Sequence, residues 1–330
     1  MHNRHIRITG TGKYLPKKVV TAQEMDLLLG VPAGWVEKKS NVLRRHFVED
    51  ESASQMGAFA ALEALKQANL NFLDIDCLVC ASGTMEQPIP STASLIQRAL
   101  GQEKSGVPCF DINATCLSFL TALDVMSYMV TSGRYHRILL VSTEIASLGL
   151  NWSNKESAAL FGDGAAAVVI EASSEQEGSR ILSSAMKTYS QGAHLSQIRG
   201  GGTRLPALST QEEAAFLFEM DGPEIYKMAS RLLPSFVASL LQEAGCAMKD
   251  IQVVIPHQGS AMAMRLISRK LRISEEQLMF ITPTHGNTIA ASIPMGLHEA
   301  IREGRITRGA RLMLLGTSAG LSIGGMILDY

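Results

Sequence analysis

The chain has 330 residues, 46% of them hydrophobic and 18% charged, with a formal net charge of −1. This composition supports a large packed core and excludes a disordered chain. Near-neutrality excludes a global attraction to nucleic acid or to an anionic membrane, and no apolar run reaches the roughly 18 residues of a membrane span.

The opening residues, Met1-His2-Asn3-Arg4-His5-Ile6-Arg7, lack the apolar stretch of a signal peptide, and five cysteines, an odd number, do not make a disulfide scaffold. A cytoplasmic protein is expected. Ile6-Arg7-Ile8 then leads into Gly10-Thr11-Gly12. That segment lacks the third glycine of a dinucleotide loop, and it predicts a turn. Further along, short runs rich in Val, Ile and Leu alternate with amphipathic stretches. They lie at 75–81, 107–112, 137–141, 165–170, 251–256 and 311–315. Continuous apolar runs of this length fit strands covered on both faces, and the alternation predicts an α/β fold with largely parallel sheets.

The chain also resembles itself. Ala61-Leu62-Glu63-Ala64-Leu65-Lys66-Gln67-Ala68 leads through Asp74-Ile75 into Cys77-Leu78-Val79-Cys80. About half a chain later, Val237-Ala238-Ser239-Leu240-Leu241-Gln242-Glu243-Ala244 leads through Asp250-Ile251 into Val253-Val254-Ile255. Two copies of one α/β unit are expected, 1–172 and 173–330, with the polar stretch 171–178 as the crossover. Gly200-Gly201-Gly202 marks a flexible loop.

Three segments carry chemistry. In Asn113-Ala114-Thr115-Cys116-Leu117-Ser118 a strand ends and a helix begins, reaching to about Ser132 with Gly133 as its C-terminal cap. Cys116 therefore stands at a helix N-terminus, where the dipole favours thiolate over thiol. On position alone, a buried structural cysteine and an activated nucleophile are equally open. In Pro256-His257-Gln258-Gly259-Ser260 another strand ends, and a helix follows from Ala261 to Leu271. His257 thus falls at the same end of its sheet as Cys116, the end where such folds bind ligands. In His285-Gly286-Asn287-Thr288 a tight turn precedes a helix opening at Ala291 or Ser292. It sets an amide beside the histidine, although a plain capped loop reads the same.

Other signals carry less. Cys77-x-x-Cys80 lies within an apolar strand, where residues three apart face opposite ways, so no metal is expected. Cys109 and Cys246 read as core. His285 reads as packing, and His46, His136, His194 and His298 have no partner pattern.

In order and spacing, Asn113-Ala114-Thr115-Cys116, Pro256-His257-Gln258 and Gly286-Asn287-Thr288 resemble the β-ketoacyl-acyl-carrier-protein synthase III family. The closing Gly316-Thr317-Ser318-Ala319-Gly320-Leu321-Ser322 is similar to its final glycine-rich loop. So are Gly34-Trp35-Val36-Glu37-Lys38-Lys39, Arg44-Arg45 and Phe218-Glu219-Met220-Asp221-Gly222 to other family segments. The resemblance spans essentially the whole chain. It implies a thiolase-like five-layer αβαβα fold of two duplicated halves, assembled as a homodimer.

It further implies that Cys116 takes an acyl group from a thioester. The backbone N–H groups of Cys116 and Ala319 would form the oxyanion hole. His257 and Asn287 would stabilise the enolate left when a malonyl thioester loses CO₂, with no metal or redox cofactor. Trp35, Lys39 and Ser260 would meet the pantetheine-bearing substrate, and Ile89, before Pro90-Ser91-Thr92, would cross the dimer to trim the acyl pocket. Lys227, Arg265, Arg269 and Lys270 would dock an acyl carrier protein.

The chain departs from the family at its entrance. Lys39 replaces an arginine, Ser260 an asparagine, and Met262 an arginine, while 147–148 lack a cation. Leu117-Ser118 replace small residues after the nucleophile. Two activities fit: decarboxylative condensation in fatty-acid or specialised lipid and polyketide biosynthesis, or acyl transfer from Cys116 to an alcohol or amine. A non-catalytic partner subunit is disfavoured by the three intact catalytic residues. Head-to-head condensation is disfavoured because Ile89 stands where a glutamate would be needed.

Overall fold

The computed structural model describes residues 4–206, 209 and 212–330, so Met1, His2 and Asn3 of the opening segment lie outside the described residues. A first sheet is built from β1 (Ile6–Tyr14), β2 (Cys77–Cys80), β3 (Cys109–Asp111), β4 (Arg137–Glu144) and β5 (Gly164–Ala172), in the order β1-β5-β4-β2-β3. A second takes β6 (Arg180–Thr188), β7 (Val253–Pro256), β8 (Arg311–Ser318) and β9 (Ser322–Asp329), in the order β6-β9-β8-β7.

The pairings match step for step. β1 and β6 are antiparallel to β5 and β9, which are antiparallel to β4 and β8, and these run parallel to β2 and β7. The first sheet continues with β3, parallel to β2. In the second sheet a single parallel bridge from Leu278 to Val254 stands at that position.

Six helices frame the sheets: α1 (Ala53–Ala68), α2 (Thr92–Ala99), α3 (Ser118–Thr131), α4 (Gly222–Glu243), α5 (Ala261–Leu271) and α6 (Ser292–Arg302). Strand periodicity sorts their contacts into layers, because successive side chains face opposite ways. Leu139 and Val141 of β4 face α1 and α2, packing with Met56, Ala60 and Ile96. Ile138 and Leu140 face inward, joining Leu123 and Met126 of α3, Ile293 and Leu297 of α6, and Leu314 of β8. Met313 of β8 faces outward onto Leu233, Phe236 and Leu240 of α4. The order is helix, sheet, helix, sheet, helix. Truncating a central leucine such as Leu140 to alanine would cost about 2–5 kcal/mol.

Three strands, β4, β5 and β8, run longer than the apolar runs that announce them and three, β2, β3 and β7, run shorter, and Gly10-Thr11-Gly12 is not a turn. It lies inside β1, beyond a register shift between Ile8 and Gly10. The glycines serve helix approach instead. A Cβ at Gly10 would fall 2.1 Å from the Ala64 carbonyl oxygen, and one at Gly12 2.1 Å from that of Ala60. The alanine-rich face of α1 presses directly on the β1 backbone, which no pattern local to β1 records. Cys77 and Cys80 do face opposite cores, and among the described residues no cluster of metal-binding side chains occurs. No helix among them is long and apolar enough to cross a membrane.

Candidate active site

β3 ends at Asp111 and α3 starts at Ser118, leaving six residues to reverse the chain. Asn113 Oδ1 accepts the Thr115 N–H at 2.8 Å, the Ser118 hydroxyl donates to the Thr115 carbonyl at 2.6 Å, and the Ala114 N–H donates to Ser118 Oγ at 2.9 Å. These bonds hold Thr115 at φ 51°. A β-branched residue there is strained, at about 1–3 kcal/mol, and such strain gathers at functional sites. The elbow carries Cys116 to the carboxyl end of the first sheet. Leu117, bulkier than the small residue expected there, is wholly buried. Its methyl groups stand 3.0 and 3.1 Å from where side chains at Gly316 and Gly324 would begin.

The second half contributes two groups. His257 follows β7 directly, and its Nδ1 lies 2.8 Å from Ser292 Oγ. A Cβ at Gly259 would stand 3.2 Å from His257 Nε2, and the Gly259 carbonyl oxygen lies 3.5 Å from Asn287 Nδ2. Histidine and amide therefore converge on one glycine. Asn287 Oδ1 accepts the Ile289 N–H at 2.9 Å, which turns the NH₂ toward the site. The asparagine's backbone is anchored to the first half, its N–H on the Leu160 carbonyl and its carbonyl receiving the Gly162 N–H. Arg45, wholly buried, donates from Nη1 to the Ala159 carbonyl and braces that segment. The halves also meet at Gly83, where a Cβ would touch Thr115 Cα at 3.3 Å and Ile289 Cγ2 at 2.9 Å.

Electrostatics correct one expectation. Burial first, then the Glu144 carboxyl, push the Cys116 thiol up to about 12, although the N–H groups of Ala319 and of Cys116 itself pull it down. That direction favours the thiol over the thiolate expected from its helix terminus. A helix end offers a fraction of a charge, whereas desolvation acts on the whole ion. Glu144 ends β4 and accepts from the Gly83 and Thr84 N–H groups and the Thr84 hydroxyl, at 2.6, 2.9 and 2.6 Å. Burial still raises it to about 7. Burial holds His257 down at about 4, against the raising effect of the Ile289 carbonyl. At neutral pH the site is a thiol beside a neutral imidazole and a neutral amide.

The N–H groups of Ala319 and Cys116 both face this sulfur, where an acyl oxygen would need them. Residues 110–190 match the family model 3-Oxoacyl-[acyl-carrier-protein (ACP)] synthase III, and residues 241–330 match its C-terminal model. The beta-ketoacyl-[acyl-carrier-protein] synthase III of Aquifex aeolicus is 33% identical over 98% of this chain and 99% of its own. That of Neisseria gonorrhoeae is 31% identical over 99% of this chain and all of its own. Among solved structures, the Aquifex aeolicus enzyme superposes with a TM-score of 0.89 at 32% identity, covering 98% of this chain and 100% of the other. The Pseudomonas aeruginosa enzyme gives 0.89 at 28%, covering 99% and 98%.

The chain belongs to the synthase III family. Its fold is the thiolase fold, and it is a condensing transferase by kinship.

Against the family pattern the entrance is the altered part. Trp35 is half-buried on the first turn of a short helix, Trp35–Ser40. Lys39 stands 5.9 Å from its ring and 3.2 Å from the Glu156 carboxylate. Ser260 caps α5, its Oγ 3.5 Å from the Ala263 N–H. Met262 is 59% exposed where the family carries a cation.

The basic face of α5 is largely engaged within the chain. Arg265 donates to Asn41 Oδ1 at 3.2 Å and lies 5.4 Å over the Phe280 ring, and Lys270 donates to the Ser230 carbonyl at 2.5 Å. Lys227 pairs with Glu224 at 2.9 Å. Arg269 is exposed and makes no ion pair among the described residues. Ile89 is 85% exposed, far from its own chain's core.

The sequence offered no warning of Ser292, read only as a helix start, or of Glu144, a single acid closing an apolar strand. His285 is buried in a polar cluster. Lys13 Nζ lies 3.1 Å from its Nε2, and Thr284 Oγ1 2.8 Å from its Nδ1.

Proposed function

We propose that this chain catalyses a decarboxylative Claisen condensation on an acyl-Cys116. The Cys116 sulfur attacks an acyl thioester and releases the free thiol, while His257 relays the displaced proton. The acyl oxygen rests on the N–H groups of Cys116 and Ala319. A malonyl thioester then loses CO₂, and its electron pair becomes an enolate whose oxygen is held by His257 and Asn287. The enolate carbon attacks the acyl carbon, Cys116 leaves and regains a proton, and a β-ketoacyl thioester departs. Loss of CO₂ generates the carbanion itself, so the reaction calls for no metal or redox cofactor.

One observation carries this reading. The Asn287 amide is locked by Ile289 and stands beside a histidine held neutral. Simple acyl transfer from Cys116 needs one oxyanion hole and a base. A second pair of oriented donors serves a second oxyanion, the enolate.

The working unit is a homodimer in the cytoplasm, and the exposure of Met85 and Ile89 beside the free edge of β3 supports this, because unpaired edges seek cover. The donors are acyl thioesters, with an acyl carrier protein approaching over α5. Asn287→Ala is expected to keep acylation of Cys116 and to lose about 10²–10³ in malonyl decarboxylation. Unchanged product formation would remove the condensation and favour transfer to an alcohol or amine.

A further inference from the structure

The Glu144 side chain is wholly buried at the end of β4, and four donors converge on it. Its Oε1 accepts the Gly83 N–H at 2.6 Å and the Ala290 N–H at 3.3 Å. Its Oε2 accepts the Thr84 N–H at 2.9 Å and the Thr84 hydroxyl at 2.6 Å. A carboxylate has about four lone-pair directions and no hydrogen to give, so these donors fill it. None of them is a cation.

The donors come from both halves of the chain. Gly83 and Thr84 follow β2 in the first half, and Ala290 lies in the 287–292 turn of the second. From each side a bonded path leads to a catalytic group. The Gly83 carbonyl receives Asn113 Nδ2 at 3.4 Å, and Asn113 Oδ1 holds the Thr115 N–H of the Cys116 elbow. Ala290 follows Ile289, whose N–H fixes Asn287 Oδ1. We propose that Glu144 is a positioning residue that fixes the Asn287 turn against the Cys116 elbow, by accepting N–H groups from both halves at Oε1. This rests on the condensation reading for its purpose, though not for its geometry.

Acylation of Cys116 uses the elbow alone. Carbon–carbon bond formation needs both sides, because the enolate held at Asn287 must reach the acyl carbon on Cys116. The geometry also ranks the substitutions. In Glu144→Gln the amide oxygen can take the Oε1 position, between two backbone donors that cannot reverse. The NH₂ then faces Thr84, whose hydroxyl can turn to accept, and only the Thr84 N–H loses its acceptor. Glu144→Ala loses the tie altogether.

The test uses the full chain. Amide hydrogen exchange, read residue by residue, follows the tie without turnover. Glu144→Ala is expected to speed exchange at Gly83, Thr84 and Ala290 together, and Glu144→Gln at Thr84 only. In Glu144→Ala, acylation of Cys116 should stay within a few-fold. Formation of β-ketoacyl thioester from the preloaded acyl-enzyme should fall about 10²-fold, as a small misplacement of reacting groups costs. Glu144→Gln should recover product formation to within a few-fold of the parent.

Unchanged exchange at Ala290 in Glu144→Ala would overturn the proposal. Equal loss of both half-reactions would overturn it by reducing Glu144 to a packing residue. Product loss in Glu144→Gln as large as in Glu144→Ala would assign the effect to the charge and not to the tie. If Glu144→Ala does not fold, Glu144→Gln still decides, because rapid exchange at its Ala290 contradicts the tie and protection there upholds it. If the parent forms acyl-Cys116 but never condenses it with malonyl thioester, the condensation reading is what fails, and the exchange rates still decide Glu144.

Discussion

The catalytic centre and its entrance are built to different plans. In the centre every functional group is held by neighbours that leave its reactive face open: Asn287 through Oδ1, His257 through Nδ1, Cys116 at the tip of a bonded elbow. At the entrance the cations spend their charge within the chain: Lys39 on Glu156, Lys227 on Glu224, Lys270 on the Ser230 carbonyl. Exposed pairs of this kind contribute little to stability, about 0–1 kcal/mol, but they must be broken before a phosphate or an acidic partner can bind. A centre whose groups are oriented thus stands against an entrance whose cations are paired within the chain.

The largest effect should come from the centre. Cys116→Ala should abolish the acyl-enzyme altogether, because the other cysteines are also pushed above their ordinary pKa by burial, and they lie within strands or beyond the end of α4 and not on a strand-to-helix elbow. Alkylation of Cys116 with iodoacetamide should rise about tenfold per pH unit through pH 10 without a plateau, as a thiol pushed up to about 12 requires. A plateau near neutrality would restore the thiolate.

The entrance should respond more weakly. Arg269→Glu with Lys270→Glu should cost about tenfold, roughly 1.4 kcal/mol, with a malonyl-carrier protein and little with malonyl-coenzyme A. Equal losses would show that α5 is not a docking surface. Ile89→Trp should shift preference toward short acyl chains in a competition between acetyl and longer donors. An unchanged profile would separate Ile89 from the pocket.

A further effect is on stability at low pH. His257 and His285 are lowered from 6.5 to about 4 and about 3 by burial. Between those values and 6.5 the unfolded chain binds more protons than the folded one. The two histidines should therefore weaken the fold as the pH drops from 6.5 toward 3, while Glu144, raised to about 7, opposes them between pH 7 and its ordinary 4.5, so denaturant melts of His285→Gln beside the parent should isolate the histidine share.

Much of this was legible because it is local. Buried strands announce themselves as apolar runs, and the junctions at Cys116 and His257 fall where those runs stop. The helix from Ala261 to Leu271 is bounded by Ser260 and a left-handed Arg272. What was not legible depends on residues brought together from far along the chain. Gly10 and Gly12 answer to a helix some fifty residues later, and the Cys116 thiol to burial and to Glu144 on another strand. Ser292 reads as a helix start until His257 is seen against it. The partners of Lys39 and Arg265 likewise come from other elements.

Intact-protein and peptide mass spectrometry would test the central claim most directly. The chain would be loaded with an acyl thioester, the adduct mapped, and malonyl thioester then added. The expected result is one acyl group on Cys116, discharged with release of CO₂ and appearance of a β-ketoacyl thioester. An adduct on Cys80 or Cys246 with Cys116 free, or an acyl-Cys116 that malonyl thioester leaves untouched, would contradict it.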